Sequence, residues 1–272
     1  MATEEQQRSP HHELKEQYGA PTLEAGAGNS VQLDPGGQTF PTIGAALASI
    51  TDASQKKQYL LTCSPGTFNE QVTLKPWCYL QGSGSDQTTV SAPPTQDAFS
   101  RGTVIGASNS SISDMTVVCM GGTWGDWSTA LNVGGSAPFY AESVVLLSED
   151  QGNAGINSET VAVNWNTTQP GQAQFYLAYS TVASAMTSGQ STAVAMIVNA
   201  ASAELTDSKV SASGGNGSWG VTSNGGAVVN LYNCAVGGQT FALSIPDGSS
   251  TLIATNCQIS GPVGQGVQVI NN

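Results

Sequence analysis

The chain has 272 residues, of which only 10% are charged, and a formal net charge of −12 with seven Lys plus Arg. Binding a nucleic-acid backbone needs clustered cations; the one cationic pair is Lys56-Lys57, so nucleic acid is excluded, and a polyanionic substrate is disfavoured unless a cation such as Ca²⁺ bridges the two. No apolar run of about 18 residues exists, so no transmembrane helix is expected.

Residues 1–28 read as a flexible polar arm. It contains His11-His12, which as a pair in a polar tail read as exposed side chains and not as metal ligands. The opening MATEEQQRSPHHELKEQYG lacks the charged start and apolar core of a Sec signal peptide. The sequence thus points to the cytoplasm, a virion or another export route. Residues 29–272 form one domain. Its 32 Gly, together with abundant Ser, Thr, Asn and Gln, suit tight turns and pleated surfaces. Cys63, Cys78, Cys119, Cys234 and Cys257 lack paired CxxC spacing and a nearby His. They read as buried free thiols, and neither a zinc site nor a cofactor is implied. Asn109, Asn166 and Asn216 stand in N-x-S/T patterns, which are expected by chance in a chain this rich in Ser and Thr.

The stretch QTFPTIGAALASITDA predicts an amphipathic helix over 42–50, with Pro41 at its start and Ile43, Ala46, Leu47 and Ile50 on one face. Strands follow at Tyr59–Cys63, Gln71–Leu74 and Cys78–Gln81, punctuated by turns at Pro65-Gly66 and Gly82-Ser83-Gly84. Beyond them the chain repeats itself in SISDMTV, FYAESVV, FYLAYSTV, AELTDSKV, VNLYNCAV and TLIATNCQI. A small residue recurs at Ser143, Ser180, Ser208, Cys234 and Cys257, at separations of 37, 28, 26 and 23 residues. Each unit holds a second strand: ALNV, VAVNW, AMIVN, GVTSN, ALSI and GVQVI. Units of this length built of strands and turns are the signature of a β-solenoid. One coil cannot bury its inward face alone, whereas stacked coils pair every backbone amide with the next rung. The small residues would then form a column where the chain bends, with Cys234 and Cys257 as stacked neighbours. A β-sandwich, the rival fold, predicts in/out alternation without similarity between units.

The segment 39–84, with TFPTIGAALASI, YLLTCSPGTFNEQVTL and YLQGSG, resembles the N-terminal part of pectin methylesterases. The resemblance implies a right-handed parallel β-helix of the pectin-lyase-like superfamily. The helix would plug one end of the solenoid, protecting an apolar face that would otherwise aggregate. Glu70, in the G-x-Y-x-E-like turn Gly66-Thr67-Phe68-Asn69-Glu70, would be structural and accept hydrogen bonds from a turn. The family's catalytic pattern does not carry over. Nothing matches G-x-x-D-F-I-F-G or L-G-R-P-W, and the chain has two Arg, Arg8 and Arg101. Pectin-methylesterase activity is therefore not expected.

Chemistry is concentrated in GGTWGDWSTA, where Trp124 and Trp127 flank Asp126. Aromatic faces stack on sugar rings while a carboxylate accepts hydroxyl hydrogen bonds; packing of the core is the alternative role for these Trp. Trp165 and Trp219 would extend such a substrate-binding groove. The coil from 139 to 165 carries Glu142, Glu149, Asp150 and Glu159, and two carboxylates on one face can serve glycoside hydrolysis. Asp126 and Glu142 are the candidate catalytic pair. Two readings stay open. One is a non-catalytic binding or structural β-helix that contacts a glycan or partner protein through long loops and forms a homo-oligomer through an uncapped C-terminal end. The other is a β-helix enzyme acting on a carbohydrate or small biosynthetic substrate. The scarcity of His, Arg and Lys favours the first.

Overall fold

The computed structural model describes residues 29–35, 37, 40–93, 102–120, 128–134, 138–150, 159–167, 174–187 and 192–271, with Asp150 described by its backbone only. Among them, three parallel sheets of ten, eight and seven strands wind about one axis as a right-handed parallel β-helix. The first sheet runs from Ser30–Leu33 to Gln268–Ile270, the second from Gly66–Asn69 to Gln258–Ser260, and the third from Val72–Thr73 to Phe241–Ser244. The chain visits first, second and third sheets in turn and returns to the first one rung on, about 4.8 Å along the axis.

Alternation of side chains builds the core. Leu80, Ile112, Ala141, Leu177, Leu205, Leu231 and Ala254 share one register position and form an inward column of the first sheet. Each is at most 2% exposed. Burying a Leu side chain in this way contributes roughly 1.5–3 kcal/mol, and the benefit exists only once neighbouring rungs are in place.

The expected helix spans Ile43–Ser49, with the Thr42 side chain accepting from Ala45 N as N-cap and Ile50 as C-cap. Ile43, Ala46 and Leu47 are buried in the main core. Glu70 is structural, but its donors differ from those expected. Its carboxylate accepts from Ile43 N at 2.7 Å and Gly44 N at 2.9 Å. It therefore satisfies two orphan amides of the helix's first turn and places negative charge at the positive end of the helix.

Each repeated segment that reads as one strand is two, belonging to the first and second sheets and joined at a bend. The bend residue has positive φ in six successive coils: Asp114, Ser143, Tyr179, Asp207, Asn233 and Asn256. Asp and Asn tolerate this region, whereas most L-residues lose roughly 1–2 kcal/mol in it. Ser143 is thus a bend residue, in register with Tyr179, and the small-residue column belongs one position later. Val144 precedes Ser180, Ser208, Cys234 and Cys257 in that column. Its logic is hydrogen bonding. Val144 N donates to Ser180 Oγ at 3.2 Å, Ser180 N to Ser208 Oγ at 3.1 Å, and Cys234 N to Cys257 Sγ at 3.4 Å. Ser180 Oγ and Ser208 Oγ in turn donate to Ala178 O and Thr206 O, the carbonyls two residues back, at 2.7 and 2.8 Å. All five Cys are buried free thiols.

Two other strands differ from expectation. Gln71–Leu74 shortens to Val72–Thr73, and GVQVI belongs as Gln268–Ile270 to the first sheet and not the third. In the third sheet its place is taken by a single bridge between Val263 and Leu243. No helix among the described residues is long and apolar enough to cross a membrane.

Candidate functional site

Among the described residues, the outer face of the first sheet carries a stacked tyrosine pair beside carboxylates. In the consecutive strands Phe139–Glu142 and Gln174–Ala178, the Phe-Tyr dipeptide recurs in register. Alternation turns both Phe inward, where Phe139 stacks on Phe175 at 6.0 Å. Both Tyr turn outward, and Tyr140 stacks on Tyr176 at 4.9 Å and 9°, matching the rung spacing. Each ring spends one face on its neighbour, and both residues are partly buried. Tyr176 OH donates to Gln174 Oε1 at 2.5 Å.

The same outward column continues in both directions. On one side lies Ser111 and then Tyr79. Tyr79 is 1% exposed and its hydroxyl has no hydrogen-bond partner among the described residues; burial pushes its phenol up to about 12. On the other side lies Glu204, beside Tyr176. Partial burial raises its carboxyl above the ordinary range, as desolvation disfavours the charged form.

A second outward column runs Ser113, Glu142, Ala178, Thr206 and Tyr232. Beyond it lies the bend, with Tyr179 45% exposed and Asp207 in the next rung. The Tyr179 phenol is raised by burial and then by the charges of Asp207 and Glu142. Asn233 Nδ2 donates to Asp207 Oδ1 at 3.2 Å. A shallow open depression at this edge is lined by Tyr179, Thr181, Asp207, Lys209 and Asn233 among others.

The residues singled out from the sequence scatter. Trp124, Asp126 and Trp127 lie outside the described residues. Trp165 is 0% exposed inside the coil and stacks on Phe175 at 5.7 Å. It packs the core and lines no groove, because its position in the third-sheet strand points inward. Trp219 lies partly exposed on the outer face of the third sheet against Val161, Val194 and Ile197, on a different sheet from Glu142. The acids of the 139–165 coil also separate, with Glu142 in the first sheet, Glu149 in the second and Glu159 in the third. Glu142 instead shares its face with Glu204, two rungs away. Glu159 is pushed up to about 7 by burial. Among the described residues no group of three or more His, Cys, Asp or Glu could hold a metal ion.

Tyr140, Tyr176, Tyr179 and Glu204 are the residues that sequence reasoning passed over. The signal for the first two was present. FYAE and FYLA repeat an aromatic pair, and a period of two must send one ring to each face.

No family model matches the chain, and no curated protein matches it. Solved structures do. Pectin methylesterase PemA from Erwinia chrysanthemi superposes with a TM-score of 0.52 at 14% identity, over 88% of this chain and 92% of that one. A pectin methylesterase in complex with hexasaccharide VII gives 0.52 at 15% identity, with the same coverage. Pectin methylesterase from carrot gives 0.51 at 12% identity, over 91% of this chain and 90% of that one. At such identities the likeness is one of fold.

Proposed function

We propose that the chain is a non-catalytic β-helix that holds a glycan against the outer face of its first sheet. The observation that carries this is the stacked pair Tyr140–Tyr176 with Glu142 and Glu204 on the same exposed face. Strands fixed rung by rung give such a face little to reorganise on binding, which limits the entropic cost of association. Tyrosine edges and carboxylates suit the mixed CH and OH surface of a sugar. The solved hexasaccharide complex of a pectin methylesterase with this fold adds support for a chain of sugars as the occupant. Trp124, Trp127 and Asp126 remain proposed contacts.

The test is a glycan array followed by calorimetry, with reducing-sugar release measured in parallel. Binding that falls about tenfold or more, equivalent to about 1.4 kcal/mol, in Tyr140→Ala and Tyr176→Ala without any sugar release supports the proposal. Sugar release that disappears in Glu204→Gln or Glu142→Gln replaces it with the second reading, a carbohydrate-active enzyme. Burial raises the Glu204 carboxyl above the ordinary range, the direction a general acid needs.

A further inference from the structure

The second sheet has an outer face that neither the core nor the first-sheet surface uses. Alternation turns Val145, Leu147, Ala183, Ala185, Ser211 and Ala235 outward on four successive strands. Of the described outward positions on its eight strands, all but Val118 are partly or fully exposed. Only two of them are charged, Glu149 and Lys209. The face is therefore neutral in sum, on a chain whose net charge is −12. Two copies of such a chain repel one another wherever their acidic surfaces meet, and a neutral face is where they can approach.

The two charges are placed symmetrically. Ala185 is the register partner of Glu149 one rung on, and Ala183 stands two residues before it. Thr181 stands two residues earlier again, and Lys209 is its partner on the following rung. Ala183 thus lies midway between the carboxylate and the ammonium. A two-fold axis lying over Ala183 in the plane of an interface, at right angles to the line joining the charges, sets Glu149 of each copy opposite Lys209 of the other. Such self-complementarity is what an isologous dimer requires. Among the described residues neither charge has an ion-pair partner of its own.

Size and shape agree. Eight parallel strands spaced about 4.8 Å apart and roughly 16 Å long make a face of about 600 Å². Two copies would bury about 1,200 Å², the lower end of standard specific interfaces. The short side chains of Ala183, Ala185 and Ser211 let a facing sheet close to the roughly 10 Å of packed sheets.

We infer that the outer face of the second sheet is the interface of a symmetric homodimer, its occupant a second copy of this chain. The inference does not depend on the glycan reading. It leaves the first-sheet face of each copy uncovered, so the dimer offers two such faces.

Sedimentation velocity over a concentration series tests it, with thermal melts to check that each variant is folded. The native chain is expected to dimerise in the micromolar range. Glu149→Lys and Lys209→Glu should each weaken the dimer about tenfold or more, because like charges then face each other twice. The exchange Glu149→Lys/Lys209→Glu should restore it, and an equimolar mixture of the two single variants should form a heterodimer. A native chain that stays monomeric throughout overturns the inference. So does a dimer that ignores the single reversals or is not restored by the exchange. A dimer broken instead by Ile270→Asp also overturns it and moves the contact to the C-terminal end of the solenoid.

Discussion

The first and third sheets are built from the same coils by the same parallel pairing, yet they treat their outer faces in opposite ways. On the first sheet, Tyr140, Glu142, Tyr176 and Glu204 remain partly open to solvent. On the third, Thr129, Val161, Asn164 and Val194 are at most 5% exposed, and Val161, Val194 and Ile197 form an apolar cluster separate from the main core. Parallel strands buried on both faces read as continuous apolar runs such as TAVAMIVN; a strand with one open face alternates. The difference gives the outer face of the third sheet to packing and leaves that of the first for the binding proposed above.

The comparison breaks most directly inside the third sheet. Trp165 is the largest fully buried side chain among the described residues, so Trp165→Ala should destabilise the fold by about 3–5 kcal/mol in urea unfolding. A solvent-facing groove residue would lose ligand affinity at nearly unchanged stability, and that outcome would return Trp165 to the binding surface. The next largest effect comes from one charge placed on each outer face. Val194→Asp puts a carboxylate where only 5% of the residue is exposed and should cost roughly 3 kcal/mol. Ala178→Asp, on the first sheet, should stay within about 0.5 kcal/mol while altering ligand binding. Equal losses at the two sites would erase the distinction between the faces.

These contrasts bear on what was legible in the residues themselves. The repeated bend with its small column is local chemistry, visible as Ser180, Ser208, Cys234 and Cys257 at the same place in successive units. It slipped by one position at Ser143 because Val144, which occupies the column there, carries no polar atom and reads as an ordinary strand residue. The apolar face of the helix was equally local. The face that unites Glu142 with Glu204 was not. Two coils of unequal length separate them, and register across such loops depends on stacking that no short window contains. Trp165 was misread because a Trp next to polar residues looks like a turn residue, whereas the alternation shifts phase between Ala162 and Val163, both in the main core, and this turns Trp165 inward.

Acid sharpens the comparison further. Burial at the entry of the third sheet raises the Glu159 carboxyl from 4.5 to about 7. The folded state therefore holds its proton more tightly than the unfolded chain does. The resulting stability is fully present below pH 4.5, declines as pH rises through about 7, and is flat beyond. Thermal midpoints recorded across this window should fall with rising pH in the native chain. In Glu159→Gln this part of the decline should vanish, and the variant should be the more stable of the two above pH 7. An unchanged slope would mean that Glu159 ionises freely in the fold.

The smallest effect tests the column between the first and second sheets, which carries neither region's special chemistry. Ser208 Oγ accepts from Ser180 N and donates to Thr206 O, in a residue only 4% exposed. Ser208→Ala leaves the Ser180 amide without its acceptor and should cost about 1–2 kcal/mol. Ser208→Cys should cost less, because Cys234 and Cys257 already fill this role, Cys257 Sγ accepting from Cys234 N at 3.4 Å. If Ala proves as harmless as Cys, the column is set by size alone. The hydrogen-bonded ladder would then follow from the bend and contribute nothing to holding it.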